Sequence, residues 1–173
     1  VEVPQIITTE ISYDTDSTTM NGFLASPADA KDAPGVLIVH EWWGHNEYTR
    51  KRAEMLAEMG YVAFAIDMYG EGKQAEHPKD AGKFAGQVFS NMPEAKARFE
   101  AALNQLKAQA GVNPEKIAAI GYCFGGSVAL TMANAGYDLA AVAAFHSGVQ
   151  LPIMPGSDLK AKVLVANGAD DPM

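Results

Sequence analysis

At 173 residues the chain is long enough for one domain with a buried core, and a content of 48% hydrophobic and 20% charged residues is ordinary for a globular protein. Thirteen basic residues against 21 acidic ones give a net charge of −8. Without a basic cluster, this balance argues against a nucleic-acid partner. No apolar run reaches the length of a membrane span, so no membrane partner is predicted.

The lone cysteine cannot form an internal disulfide, and no Cys/His cluster has zinc spacing. The absence of a disulfide favours the cytoplasm. Because the first residue is Val rather than Met, a removed leader and a periplasmic location stay open. The sequence contains no internal repeats, low-complexity segments or linkers, which predicts one domain over residues 1–173.

Two β-rich stretches around a polar turn, residues 5–13 and 20–26, predict an opening hairpin. Residues 36–39 form a continuous β-branched run, typical of a strand buried on both faces, and residues 61–66 predict a second buried strand. Further strands are predicted at 116–120, 139–145 and 162–166, and helices at 47–59, 80–90, 93–110 and 125–135. An antiparallel start followed by alternating strands and helices predicts an α/β fold with a mostly parallel, doubly wound sheet.

The segment from Gly121 to Gly125 reads G-Y-C-F-G and lies between a predicted strand and a predicted helix. This is the layout of a nucleophile elbow, the G-x-S-x-G turn, with Cys123 in the serine position. Such a tight turn strains the backbone of the nucleophile and requires small neighbours two residues away on either side. The following helix is expected to direct N–H groups at the sulfur and to favour a thiolate. The alternative interpretation is a buried structural cysteine at the end of a core strand.

Doubly wound sheets bind ligands beyond the carboxyl ends of their strands. Side chains that follow the predicted strands are therefore expected on one rim, and these are Glu41, Asp67, Cys123, His146 and Asp171. The alternatives are that Glu41 is an ordinary loop carboxylate and that Asp171 only occupies a turn or helix cap.

Three motifs connect this rim to a family: H-E-W-W-G at residues 40–44, G-Y-C-F-G-G at 121–126 and G-A-D-D-P at 168–172. With these motifs the chain resembles the dienelactone hydrolase family, a branch of the α/β-hydrolases that uses a cysteine nucleophile. The resemblance implies an α/β-hydrolase fold. It also implies a carboxylic ester hydrolase that cleaves an ester or lactone through a cysteine acyl-enzyme, with no metal or organic cofactor.

The resemblance further implies roles for individual residues. Cys123 attacks the substrate carbonyl, and the backbone N–H groups of Trp42 and Phe124 form the oxyanion hole. Glu41 holds the resting thiol and moves when substrate binds. Asp171, favoured over Asp170 by its spacing within the G-A-D-D-P motif, orients the catalytic histidine.

In α/β-hydrolases the catalytic histidine follows the acid along the chain. The histidines of this sequence all precede Asp171, and they are His40, His45, His77 and His146. We therefore expect the chain to be incomplete, with a C-terminal segment past Met173 that carries the catalytic histidine and packs on this one. His146 is expected to line the substrate pocket.

Trp43, Tyr69, Glu71 and Lys73 are further candidate pocket residues. In the family an arginine that holds the substrate carboxylate lies shortly after the D-x-Y loop, where this chain has Glu71. Lys73 offers a point charge rather than a bidentate fork, so a strong preference for substrates with a free carboxylate is not expected. The alternatives to an ester or lactone hydrolase are a thioesterase or broad-specificity esterase on the same site, and a non-catalytic binding protein.

Overall fold

The computed structural model describes residues 4–173. Seven strands and four helices lie within this range. The strands are β1 (Ile6–Asp14), β2 (Thr19–Pro27), β3 (Ala33–Val39), β4 (Val62–Ile66), β5 (Val112–Tyr122), β6 (Ala141–Phe145) and β7 (Lys162–Ala166). The helices are α1 (Glu47–Glu58), α2 (Pro78–Ser90), α3 (Met92–Lys107) and α4 (Phe124–Asn134).

All seven strands form one sheet in the order β1-β2-β4-β3-β5-β6-β7. The β1–β2 hairpin is antiparallel, and β2 also runs antiparallel to β4. From β4 to β7 every pairing is parallel. This topology confirms the predicted α/β-hydrolase arrangement, with an opening hairpin and a mostly parallel sheet.

The core consists of two apolar clusters on opposite faces of the sheet. One cluster packs α1, through Ala53 and Ala57, against side chains such as Ile38. The larger cluster packs α3 and α4, including Phe99 and Val128, against the other face. Because β3 and β4 are covered on both sides, their side chains are apolar at consecutive positions rather than at alternate ones.

The outer strand β7 is exposed along its whole length. Val163, Leu164 and Val165 are 46%, 55% and 42% exposed, although β-branched and aliphatic side chains are usually buried in such strands. The expectation that a further segment packs against this edge stays a prediction.

Among residues 4–173, none of the helices combines the length and apolar character needed to cross a membrane. Over the same described range, no three His, Cys, Asp or Glu side chains come together in a cluster that could hold a metal ion.

Candidate active site

Cys123 lies in the sharp turn between β5 and α4. Its backbone has φ 55° and ψ −121°, a conformation that costs a non-glycine residue about 1–3 kcal/mol. A Cβ at Gly121 would collide with the carbonyl of Gly125, and a Cβ at Gly125 would collide with the carbonyl of Val39. The turn therefore has the strained central residue and the two obligatory glycines that the sequence predicts for an elbow.

The Cys123 thiol is half-buried, and its pKa is raised above the ordinary value. Burial is the largest cause, and the negative charges of Glu41 and Asp171 act in the same direction. The nearby backbone N–H groups of Phe124 and Trp42 act in the opposite direction and lower the pKa, but they do not outweigh burial. The surroundings of Cys123 therefore favour the neutral thiol, whereas the position of this cysteine at a helix N-terminus predicts a thiolate.

The two N–H groups around the sulfur come from different parts of the chain. Phe124 is the first residue of α4, and Trp42 lies in the loop after β3. Donors that converge on one position can stabilise negative charge that develops there. The structure thus brings together the two backbone groups to which the family resemblance gives the role of an oxyanion hole.

Glu41 is half-buried in the loop after β3. Its carboxylate is close enough for its charge to raise the pKa of Cys123, but the described residues include no hydrogen bond between that carboxylate and the sulfur. Its influence on the thiol in this structure is therefore electrostatic. The role of Glu41 as a gate that moves when substrate binds stays a prediction.

Asp171 contacts a histidine: its Oδ2 lies 2.6 Å from Nδ1 of His146. The sequence predicts no histidine partner for Asp171 within this chain, and the structure corrects this. His146 directly follows β6, whereas Asp171 lies in the loop after the paired strand β7, where its N–H donates to the Gly168 carbonyl. The parallel register of β6 and β7 brings the two loops to the same edge of the sheet, and the turn at Gly168 precedes the contact with His146. Separation along the chain does not reveal that register.

The Asp171 side chain is only 5% exposed. Its Oδ1 accepts the backbone N–H of Met173 at 3.0 Å, and this hydrogen bond and the contact with His146 lower the pKa of the carboxyl group. The His146 side chain is 59% exposed, and its backbone has φ 51°. Within the described range, no hydrogen bond joins the His146 imidazole to the sulfur of Cys123.

Asp67 was expected among the candidate side chains on the rim, but its carboxylate stabilises the loop that follows β4. Its carboxylate accepts four backbone N–H groups, from Asn21, Tyr69, Gly70 and Gly72. The acceptor positions of a buried carboxylate with this many donors are occupied by backbone hydrogen bonds. Asp67 therefore shapes the loop that presents Tyr69 and is not itself available for chemistry.

Three of the five candidate pocket residues line two separate hollows. Tyr69 and Lys73 contribute to a cavity of about 230 Å³ between the loop after β4 and helices α2 and α3. His146 lines a separate, open depression together with Asp171. Glu71 pairs with Lys73 at 3.2 Å, and both side chains are more than half exposed.

Trp43 packs edge-on against Trp42, with ring centroids 5.3 Å apart. The Tyr69 hydroxyl donates to the Trp42 carbonyl oxygen at 2.7 Å and so ties the loop after β3 to the loop after β4. From its sequence position Tyr69 is predicted only to line a pocket, because the backbone partner of a hydroxyl is not visible in a motif. The motifs also give no role to His40, which is 1% exposed and lies between the same two loops.

The chain matches the model of the dienelactone hydrolase family over residues 20–173. Protein usf of Aquifex pyrophilus is 31% identical over 158 residues, which cover 88% of this chain and 67% of that protein. The carboxymethylenebutenolidase of Pseudomonas putida is 28% identical over 163 residues, which cover 90% of this chain and 68% of that protein. The chain thus spans about two thirds of the length of these two relatives, and 54% of an Aquifex aeolicus relative to which it is 33% identical.

Solved structures agree with this match. The structure called m3DLH has a TM-score of 0.91 and 35% identity, covering 96% of this chain and 70% of that one. A dienelactone hydrolase-like promiscuous phosphotriesterase from metagenomic libraries has a TM-score of 0.87 and 32% identity, with the same coverage of 96% and 70%. The family match includes the elbow, the loop after β3 and the segment after β7, so the chain belongs to the dienelactone hydrolase family.

Proposed function

We propose that this protein is a carboxylic ester hydrolase that cleaves a small ester or lactone through an acyl-enzyme on Cys123. The observation that carries the proposal is the elbow, where a strained cysteine lies against the N–H groups of Phe124 and Trp42. A cysteine with only a structural role requires neither the strained backbone nor the converging donors.

In the proposed reaction, the Cys123 sulfur attacks the carbonyl carbon, and the thiol proton passes to an imidazole oriented by Asp171. The carbonyl oxygen becomes an oxyanion, which the N–H groups of Trp42 and Phe124 stabilise. The C–O bond to the leaving alcohol then breaks, and the imidazolium returns the proton to that alcohol. Water, deprotonated by the same imidazole, hydrolyses the thioester and regenerates the thiol.

Proton transfer requires a base within reach of the sulfur. His146 contacts Asp171, but its side chain is largely exposed and donates no hydrogen bond to Cys123 in the described part of the chain. We therefore propose that the base is a histidine that follows Met173, as the order of residues in α/β-hydrolases predicts.

The names of the relatives support a hydrolase of this kind. One relative is a carboxymethylenebutenolidase, and one structural neighbour is a promiscuous phosphotriesterase. On this chain, the pairing of Lys73 with Glu71 leaves that lysine a poor partner for a substrate carboxylate. The proposed substrates are therefore neutral esters or lactones.

A substrate panel on the intact protein tests the proposal. It contains a neutral lactone, a neutral aryl ester, its analogue with a free carboxylate, a thioester and a neutral phosphotriester. We expect the neutral lactone or aryl ester to have the highest kcat/KM, with a rapid first turnover stoichiometric with enzyme that is absent in Cys123→Ala. The highest kcat/KM on the thioester would favour the thioesterase alternative. No turnover of any substrate in the panel would favour a non-catalytic binding protein.

A further inference from the structure

His40 is the last residue before Glu41 in the loop after β3, and its ring is fully buried. Its Nδ1 lies 2.6 Å from the Glu41 carbonyl oxygen, and its Nε2 accepts the backbone N–H of Met68 at 3.1 Å. The ring also stacks on Phe124, with centroids 5.7 Å apart and planes 20° apart. His40 thus contacts the loop after β3, the loop after β4 and the first residue of α4.

The Glu41 carbonyl and the Trp42 N–H belong to the same peptide unit. In a planar trans peptide these two groups point in opposite directions, so a hydrogen bond that fixes one also fixes the other. With the Glu41 carbonyl directed at His40, the Trp42 N–H is directed to the opposite side, and it lies close enough to the Cys123 sulfur to lower the pKa of the thiol. A donor on the carbonyl also polarises the peptide and strengthens its N–H as a donor.

We propose that His40 is a positioning residue that orients the Glu41–Trp42 peptide, so that the Trp42 N–H points at the reacting centre on Cys123. This inference rests on the proposed function and extends it to a residue that does not touch substrate. Tyr69 completes the arrangement, because its hydroxyl holds the carbonyl of the next peptide.

The role requires one form of the ring. Only the neutral imidazole with its proton on Nδ1 can donate to the Glu41 carbonyl and accept from Met68 at the same time. Burial lowers the pKa of His40 to about 4. Asp67 and His45 also face the ring: the charge of Asp67 raises the pKa, and that of His45 lowers it. The neutral form is therefore retained at working pH.

Two amide substitutions separate orientation from simple packing. Asn places an N–H close to the position of Nδ1, so His40→Asn keeps a donor for the Glu41 carbonyl and loses the acceptor for Met68. Gln reaches the position of Nε2, so His40→Gln keeps the Met68 contact and loses the donor. His40→Phe keeps the ring stacked on Phe124 and loses both hydrogen bonds. His45→Phe is the matched control, since His45 is also 1% exposed and follows the same strand.

The first readout needs no turnover: the pH dependence of Cys123 alkylation by iodoacetamide. We expect the midpoint to move to higher pH in His40→Gln and His40→Phe, because the sulfur loses the Trp42 donor, and to stay unchanged in His40→Asn and His45→Phe. The second readout is hydrolysis of p-nitrophenyl acetate by the intact protein. Here kcat should fall about 10-fold to 100-fold in the Gln and Phe variants of His40 with KM little changed, as for a weakened oxyanion donor.

A His40→Gln variant with wild-type alkylation and kcat would overturn the inference, as would an equal loss in His40→Asn or in His45→Phe. If His40→Phe does not fold, the comparison of the Asn and Gln variants still decides the question. Full turnover in Cys123→Ala would instead show that the proposed function itself is wrong, independently of the role of His40.

Discussion

Nδ1 of His146 lies 2.6 Å from Oδ2 of Asp171, and the two residues belong to the loops that follow two neighbouring parallel strands. The carboxyl group is buried, whereas the imidazole is mostly exposed and has no hydrogen bond to Cys123 in the described residues. Asp171 is therefore shielded and paired with an imidazole, as expected of an acid that orients a histidine. His146 contacts this acid but makes no hydrogen bond to Cys123 within the described residues.

Substitution of these two residues in the intact protein should separate their roles. Asp171→Asn should lower kcat by about 10³-fold or more, because the histidine that takes the thiol proton loses its orienting carboxylate. His146→Ala should keep kcat within about 10-fold of wild type, since we propose that another histidine takes the thiol proton. Steady-state kinetics on a neutral aryl ester measures both. Loss of turnover in His146→Ala would make His146 the base.

Replacing Glu41 should make the thiol more acidic. The charge of Glu41 raises the pKa of Cys123, so Glu41→Gln should move the pH midpoint of alkylation to lower pH and speed oxidation by hydrogen peroxide near neutral pH. Glu47→Gln, at the exposed start of α1, is the control for loss of one negative charge. Equal pH midpoints of Cys123 alkylation in wild type and Glu41→Gln would show that Glu41 has no electrostatic effect on the thiol.

The elbow glycines should not tolerate a methyl group. In Gly121→Ala the new Cβ would collide with the Gly125 carbonyl, so we expect a loss of about 1–3 kcal/mol in the free energy of unfolding and a large loss of turnover. Gly82→Ala is the control, because its Cβ would meet open space in helix α2. That variant should be neutral or gain up to about 1 kcal/mol. Urea unfolding compares the two, and equal stabilities would contradict the steric account.

The elbow was predictable because its constraints are local: a strand-to-helix turn this tight accepts only glycine two residues from the nucleophile. The buried strands were equally readable, since residues 36–39 and 61–66 are apolar at every position. The His146–Asp171 contact could not be predicted, because it depends on how the loops after β6 and β7 fold against each other rather than on either local sequence.

The hydrogen-bond partners within the loops of the site also could not be predicted from sequence motifs. Asp67 ends a strand on the active rim and has the residue type of a catalytic acid, yet its carboxylate is occupied by backbone N–H groups from two segments. His40 is adjacent to a motif residue, but its role depends on which peptide its ring nitrogen meets. Such partners become known only when the two loops are placed together.

Acid should destabilise the fold partly through His40. Its pKa is 6.5 in an unfolded chain and about 4 in the fold, so between these values the unfolded chain binds a proton that the folded one does not. His40 therefore lowers the stability as pH falls from about 6.5 to 4, by about 3 kcal/mol in total, and has no such effect above that window. Urea unfolding at several pH values should show a flatter profile in His40→Phe. Parallel profiles for the variant and wild type would contradict the assignment.

The mass of a trapped intermediate is the most direct test of an acyl-enzyme on Cys123. The intact protein is mixed with a neutral p-nitrophenyl ester, quenched in acid during the first turnover, digested and analysed by mass spectrometry. We expect an acyl group on the sulfur of Cys123 in the peptide that carries it, and no adduct or turnover in Cys123→Ala. An acyl group on another residue, or wild-type turnover in Cys123→Ala, would contradict this expectation.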